Sequence, residues 1–240
     1  MEEDKGIELY GDGIGTVEYV EHMGSDLSIV NSARVSFGKH KEILDAKDKK
    51  LIKYLIKHRH TSTLKHCLVT FRFKVPLFIR SQHHRHRTWS YNEISRRYTE
   101  ENLQFYEPRY FRTQSKSNRQ ASNVDQHDPH LGFYEDGGKR FASACVRKHH
   151  VDSVFLYNEL MNTGVCREQA RGVLPQNLYT EYYGTVNLNN LIKFIELRIH
   201  DGAQWEIQQV AYACLSIVKE LWPVAIEAYQ EIRGLEQRDT

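Results

Sequence analysis

From Gln82 to Tyr98 the chain reads Gln-His-His-Arg-His-Arg-Thr-Trp-Ser-Tyr-Asn-Glu-Ile-Ser-Arg-Arg-Tyr. Arginine offers a planar fork of donors that suits phosphate, and the interspersed hydroxyls, amides and single carboxylate suit a hydrogen-bonding base. A solvated basic face is the ordinary alternative for a run of charges. Two rival chemistries use the same stretch. His60, His66, His83, His84 and His86 could supply nitrogens to a hydrolytic zinc, although no HExxH helix accompanies them. Trp89, Tyr91 and Tyr98 among arginines could stack single-stranded nucleic acid, but a net charge of only +2 speaks against a polyanion binder. Nucleophilic chemistry has weaker candidates. Cys67, Cys145 and Cys214 fall in apolar strand or helix patterns, whereas Cys166 precedes Arg167, which could activate it. Ser95 has no base fixed beside it, so a ligand hydroxyl is its expected role.

The elements that must position these groups follow from periodicity. Ile14 to His22 has the valine and tyrosine content of a strand, and Gly24-Ser25-Asp26 separates it from a short helix over Leu27 to Val35. Lys47 to Lys57 sets Leu51, Ile52, Leu55 and Ile56 on one helical stripe, ending near His58-Arg59-His60. Cys67 to Val75 alternates, with Val69, Phe71, Phe73 and Val75 inward, as in a half-buried strand. Pro76 fits the first position of a helix from Leu77 through Arg85, which would put Gln82 and Arg85 on one face. A helical turn after Asn92 would likewise pair Glu93 with Arg97. Residues 112 to 139 turn polar and lose periodicity, which predicts an exposed loop. Helical patterns resume at Arg140 to Asn162, Arg167 to Leu174, Leu188 to Arg198, Gln204 to Leu221 and Val224 to Ile232, with Pro175 and Pro223 as breaks.

Strands early and helices late predict an α+β fold, with a small antiparallel or mixed sheet packed by helices. A chain of 240 residues buries roughly 70 % of its unfolded surface, enough for a single domain with one large core. The acidic start and the lack of an apolar run of about 20 residues predict a cytoplasmic protein with no membrane partner. The four cysteines form no CxxC pair and are expected as free thiols.

The literal string then adds what composition cannot. Arg85-His86-Arg87, Ser90, Asn92-Glu93, Ser95 and Arg97 match the signature RHRxxSxNExSxR of flavin-dependent thymidylate synthases at every fixed position. Ser32 to Phe37, Phe105-Tyr106 with Pro108, Leu174 to Thr180 and Ala203 to Gln208 are similar to further segments of that family. The chain thus resembles the family over most of its length, residues 112 to 139 excepted. The segment at Ser62 departs from the family's HxTPxEH, with Thr63 for proline and Lys65 for glutamate.

The resemblance implies a homotetramer with shared active sites that makes dTMP from dUMP. Its cofactor would be FAD, its carbon donor 5,10-methylenetetrahydrofolate and its reductant NADPH. A dUMP site is implied at Gln82, His83, His84, Arg85, Glu93, Ile94, Ser95, Arg96, Arg97, Arg171 and Arg198. FAD contacts are implied at Arg85, His86, Arg87, Thr88, Glu93, Asn187, Leu188, Asn189 and Lys193, with Ser62 from a neighbouring subunit and His60 near the folate. No residue is assigned to a metal. Arg198 is the expected catalytic residue: a fixed positive charge beside uracil favours the ionised imide and makes C5 a better nucleophile, with no covalent cysteine.

Overall fold

The computed structural model describes residues 6–95, 103–116, 122–132 and 138–233. Its principal sheet has five antiparallel strands: β1 (Ile7–Glu8), β2 (Thr16–Met23), β3 (Leu68–Pro76), β4 (Ser90–Glu93) and β9 (Tyr179–Asn187), in the spatial order β1-β2-β3-β9-β4. The alternation in β3 holds residue by residue, because Val69, Phe71, Phe73 and Val75 are buried while Arg72 is exposed. Each such side chain contributes about 1.5–3 kcal/mol by leaving water.

The sequence pattern did not reveal β9, which runs beside β3 from Leu68 opposite Asn187 to Pro76 opposite Tyr179. Its inward positions are Thr180, Tyr182, Gly184 and Val186, too mixed in polarity to read as an apolar alternation. Gly184 is required there for space: a Cβ would stand 2.9 Å from the Phe73 ring and 3.2 Å from that of Trp89.

Helices α1 (Asp26–Arg34), α2 (Ala46–Lys57), α6 (Leu188–Ile199), α7 (Trp205–Leu221) and α8 (Pro223–Arg233) pack with this sheet around one core. Trp222 is wholly buried and donates its indole N–H to the Gly24 carbonyl at 3.1 Å. The Asp26 carboxylate accepts the main-chain N–H groups of Val224 and Ala225 at 3.0 and 2.9 Å, capping the start of α8. A smaller core of Tyr157, Ala170, Leu174 and Leu178 lies under α4 (Ala142–Asn162) and α5 (Arg167–Ala170). The result is α+β, as expected.

Several expectations need correction. Pro76 is the N-cap of α3 (Leu77–His83), not its first helical residue, because its ψ of 151° is still that of the strand. The helix also stops at His83, so Gln82 and Arg85 do not share a continued face, and β4 replaces any helical turn leading into Glu93. The polar stretch beyond Phe111 is not simply a loop either. It contains β5 (Phe111–Gln114) paired with β6 (Ser122–His127), then β7 (His130–Leu131) paired with β8 (Arg140–Phe141). Among the described residues no helix is long and apolar enough to cross a membrane.

Candidate active site

A cavity of about 550 Å³ opens where the end of β4 meets α3, the turn after α5 and the start of β9. Its walls include Arg80, Glu93, Ile94, Ser95, Arg171 and Thr180. Local hydrogen bonds explain the arrangement. The orphan N–H groups at the start of α3 are satisfied from outside the helix, Leu77 donating to the Leu178 carbonyl at 2.9 Å and Phe78 to that of Gln176 at 3.1 Å. Ile94 N–H donates to the Glu181 carbonyl at 2.9 Å, which holds the chain against β9 as it enters the cavity.

Glu93 is fixed by two donors at one carboxylate oxygen, Arg80 Nε at 3.1 Å and Thr180 Oγ1 at 2.7 Å. Arg80 escaped the sequence reading; its signal was a basic residue one helical turn before His84, on a helix already expected to carry ligands. Arg80 and Arg171 together give the cavity two guanidinium groups beside the Ser95 hydroxyl, a donor set suited to a phosphate.

Arg198 lies in a second cluster at the other end of α3. Its Nε donates to His86 Nε2 at 3.1 Å, and a terminal nitrogen donates to the Gln82 main-chain carbonyl at 3.3 Å. Burial, aided by Arg198, pushes the His86 imidazole down to about 4, so it stays neutral and accepts. Burial also lowers Arg198 from the ordinary arginine value, and a guanidinium in a protein keeps its charge. A neutral imidazole and a carbonyl leave its charge uncancelled, which suits it to stabilise negative charge on a bound ring.

The other expected residues divide. Arg85, Arg87 and Thr88 stand exposed on the turn between α3 and β4. His83 is wholly buried among Phe73, Trp89, Tyr91, Tyr182 and Phe194, with Nδ1 2.8 Å from the Tyr182 hydroxyl. Its side chain is therefore part of the core, and burial drives its basicity well down. His84 stacks on Tyr91 with ring centroids 4.0 Å apart. Arg96 and Arg97 lie outside the described residues.

The residues expected at FAD gather partly at another cleft, of about 280 Å³, between the end of α2 and the helices α6 and α8. Asn189 and Lys193 line it, joined by Arg59, Thr61, Glu196, Tyr229 and Arg233. Arg59 occupies a left-handed conformation with φ 57°, usually reserved for glycine, where α2 ends. Its N–H donates to the Ile56 carbonyl at 3.1 Å and that of His60 to Leu55 at 2.8 Å, the paired bonds of a Schellman cap. Arg59, Lys193 and Arg233 make the cleft cationic, as a cofactor's phosphates require, but its volume holds only part of a dinucleotide. Leu188 is buried in the core, and the Asn187 side-chain oxygen caps α6 by accepting from Asn190 N–H at 3.0 Å. Ser62 and His60 are exposed. Among the described residues, no three His, Cys, Asp or Glu side chains are grouped to hold a metal.

A cavity lined by two arginines and a half-buried Arg198 thus lie towards opposite ends of α3, on a five-stranded α+β frame. The chain is similar to the crystal structure of the UMP/dUMP methylase PolB from Streptomyces cacaoi bound with 5-Br dUMP, with 33% identity and a TM-score of 0.76, over 94% of this chain and 97% of that one. The flavin-dependent thymidylate synthase of Thermus thermophilus is 44% identical over 217 residues, 90% of this chain and 76% of its own length. That of Thermosipho africanus is 41% identical over 216 residues, 90% of each chain. The family model for thymidylate synthase complementing protein (Thy1) matches residues 18–224. The chain belongs to the flavin-dependent thymidylate synthase family.

Proposed function

We propose that dUMP binds in the cavity of Glu93, Ser95 and Arg171 and reacts beside Arg198. The observation that carries this reading is the convergence of Glu93, Ile94 and Ser95, from one end of the signature, with Arg171 from a distant helix on one cavity. The reaction is the reductive methylation of dUMP to dTMP, with methylenetetrahydrofolate as carbon donor and NADPH as reductant. FAD, when bound, would supply hydride transfer between NADPH and the nucleotide.

The chain's own residues hold and polarise the nucleotide. Arg171 and Arg80 offer forked donors to the phosphate, and Ser95 adds a hydroxyl. Arg198 faces the charge that develops on uracil as C5 attacks the methylene carbon, held in place by neutral His86 and the Gln82 carbonyl. No thiolate is needed. Burial raises the Cys67 thiol to about 12 and pushes that of Cys214 further still, so both stay protonated.

Arg59, Lys193 and Arg233 would hold one end of FAD in the cationic cleft, and the rest of its contacts would come from Arg85, His86, Arg87 and Thr88 and from Ser62 of another subunit. A homotetramer with shared sites accounts for a cleft too small for the whole cofactor. His60, exposed beside that cleft's rim, faces the folate. The test is the absorbance spectrum of purified protein, followed by dTMP formation from dUMP, methylenetetrahydrofolate and NADPH. About one FAD per chain and dTMP production are expected; folded protein that neither contains nor takes up FAD overturns the reading.

A further inference from the structure

Glu206 is a carboxylate with only 3% of its surface exposed, and it is surrounded by donors. One terminal nitrogen of Arg112 reaches both of its oxygens at 2.9 and 2.8 Å, the Tyr106 hydroxyl donates at 3.0 Å, and Gln204 Nε2 donates at 2.9 Å. An ionised carboxylate can only accept. The amide end that Gln204 turns towards it is therefore the NH₂, and the Gln204 oxygen faces the other way. That oxygen accepts from Gln82 Nε2 at 2.5 Å. Gln82 has then turned its donor end to Gln204, so its Oε1 is left as the accepting end of the side chain. The same residue's main-chain carbonyl holds Arg198.

We propose that Arg112 and Glu206 are positioning residues that fix the polarity of the Gln82 amide, so that Gln82 presents an acceptor to an N–H or O–H group of the bound nucleotide. The proposal rests on the reading of Gln82 as a dUMP contact. It gives the β5–β6 hairpin a role: it delivers Arg112, whose guanidinium also lies over the Trp205 ring, 5.6 Å from its centroid. Without that cation Glu206 loses the partner that reaches both of its oxygens, and each amide along the relay would be free to turn over.

The test is a double-mutant cycle on the FAD-loaded enzyme, reading dUMP affinity by titration of the flavin absorbance and, separately, kcat and KM for dTMP formation. Glu206→Gln replaces a pure acceptor with a group that both donates and accepts. It is expected to weaken dUMP binding about tenfold, the scale of one lost hydrogen bond, and to raise KM more than it lowers kcat. Arg112→Met should act in the same direction and Arg112→Lys should restore most of the affinity. In a Gln82→Ala background there is no amide to orient, so Glu206→Gln and Arg112→Met should each change affinity by less than about twofold.

Equal losses in both backgrounds overturn the relay, as does unchanged affinity in folded Glu206→Gln. If Glu206→Gln does not fold, the Arg112→Met and Arg112→Lys pair decides on the same terms. Wild-type holoenzyme that gives no response to dUMP overturns the functional reading and the relay with it, whereas a wild-type response with additive losses overturns the relay alone.

Discussion

The cavity at Glu93 and the cleft at Arg59 are both lined with cations, yet they are built in different ways. The cavity is assembled from α3, β4, the turn after α5 and β9, its guanidinium Arg80 is tied to Glu93, and its 550 Å³ suits a mononucleotide. The cleft is half that volume, lies between helix surfaces, and takes one of its cations from a backbone conformation that disfavours arginine. On the proposed function, one chain nearly completes a substrate site while offering only one wall of a cofactor site. If the two are separable, substitutions on one side should spare the half-reaction of the other.

The largest effect is expected at Arg198. Arg198→Lys keeps the charge but loses the fork that spans His86 and the Gln82 carbonyl. Methylene transfer should fall by about ten- to a thousandfold, the range for losing an electrostatic contact of ~1.4–4 kcal/mol in the transition state. NADPH oxidation by the flavin, followed by bleaching without folate, should change far less. Equal slowing of both half-reactions would make Arg198 a structural residue and collapse the distinction between the sites.

Arg171→Ala removes a charge-assisted contact worth ~1.5–3 kcal/mol, so dUMP affinity should drop by up to about a hundredfold. FAD content should stay at the wild-type level. Titration of the flavin absorbance with dUMP measures the first and the resting spectrum the second; unchanged dUMP affinity removes Arg171 from the site.

Arg59→Gly sharpens the comparison from the other side. A non-glycine residue in the left-handed region costs of order 1–3 kcal/mol, so the substitution should raise thermal stability of the FAD-free protein by at least about 1 kcal/mol. It should also weaken FAD retention, because the cleft loses a cation. Stabilisation without loss of FAD would show that the strained turn serves the fold alone.

The smallest effect is expected from the cysteines. Replacing Cys67, Cys145, Cys166 and Cys214 together with alanine or serine should leave dTMP formation measurable, since the two buried thiols are held protonated and none is assigned to the nucleotide. Loss of turnover from Cys166→Ala alone, with FAD and dUMP still bound, would point to covalent catalysis.

What was legible in the sequence was whatever repeats with a clear period or stands as a contiguous string. The stripe of α2 and the alternation of β3 appear where expected, and so does the α+β class. Strand β9 was illegible because tyrosines, Glu181 and Gly184 fill both of its faces, and its identity as a strand comes from pairing with β3 and β4 on either side. The end of α3 was misjudged by two residues, because His83 is drawn into an aromatic core that no local pattern announces. The site shows the same division. Glu93 and Ser95 are contiguous in the signature, whereas Arg80, Arg112 and Arg233 become significant only through partners far along the chain: Glu93, Glu206 and Glu196. The strain at Arg59 is a property of φ, and a residue type carries no record of it.

The cap that Asp26 places on α8 joins residues 198 and 199 positions apart. At synthesis rates of about 5–20 residues per second, roughly 10–40 s separate the emergence of Asp26 from that of its partners. Through that interval Asp26 lacks those two donors, and the Trp222 indole that binds the Gly24 carbonyl has not been made. The faces of α1 and α2 that pack on α8 therefore stay uncovered by it until α8 has been made, a period in which a chaperone could bind them.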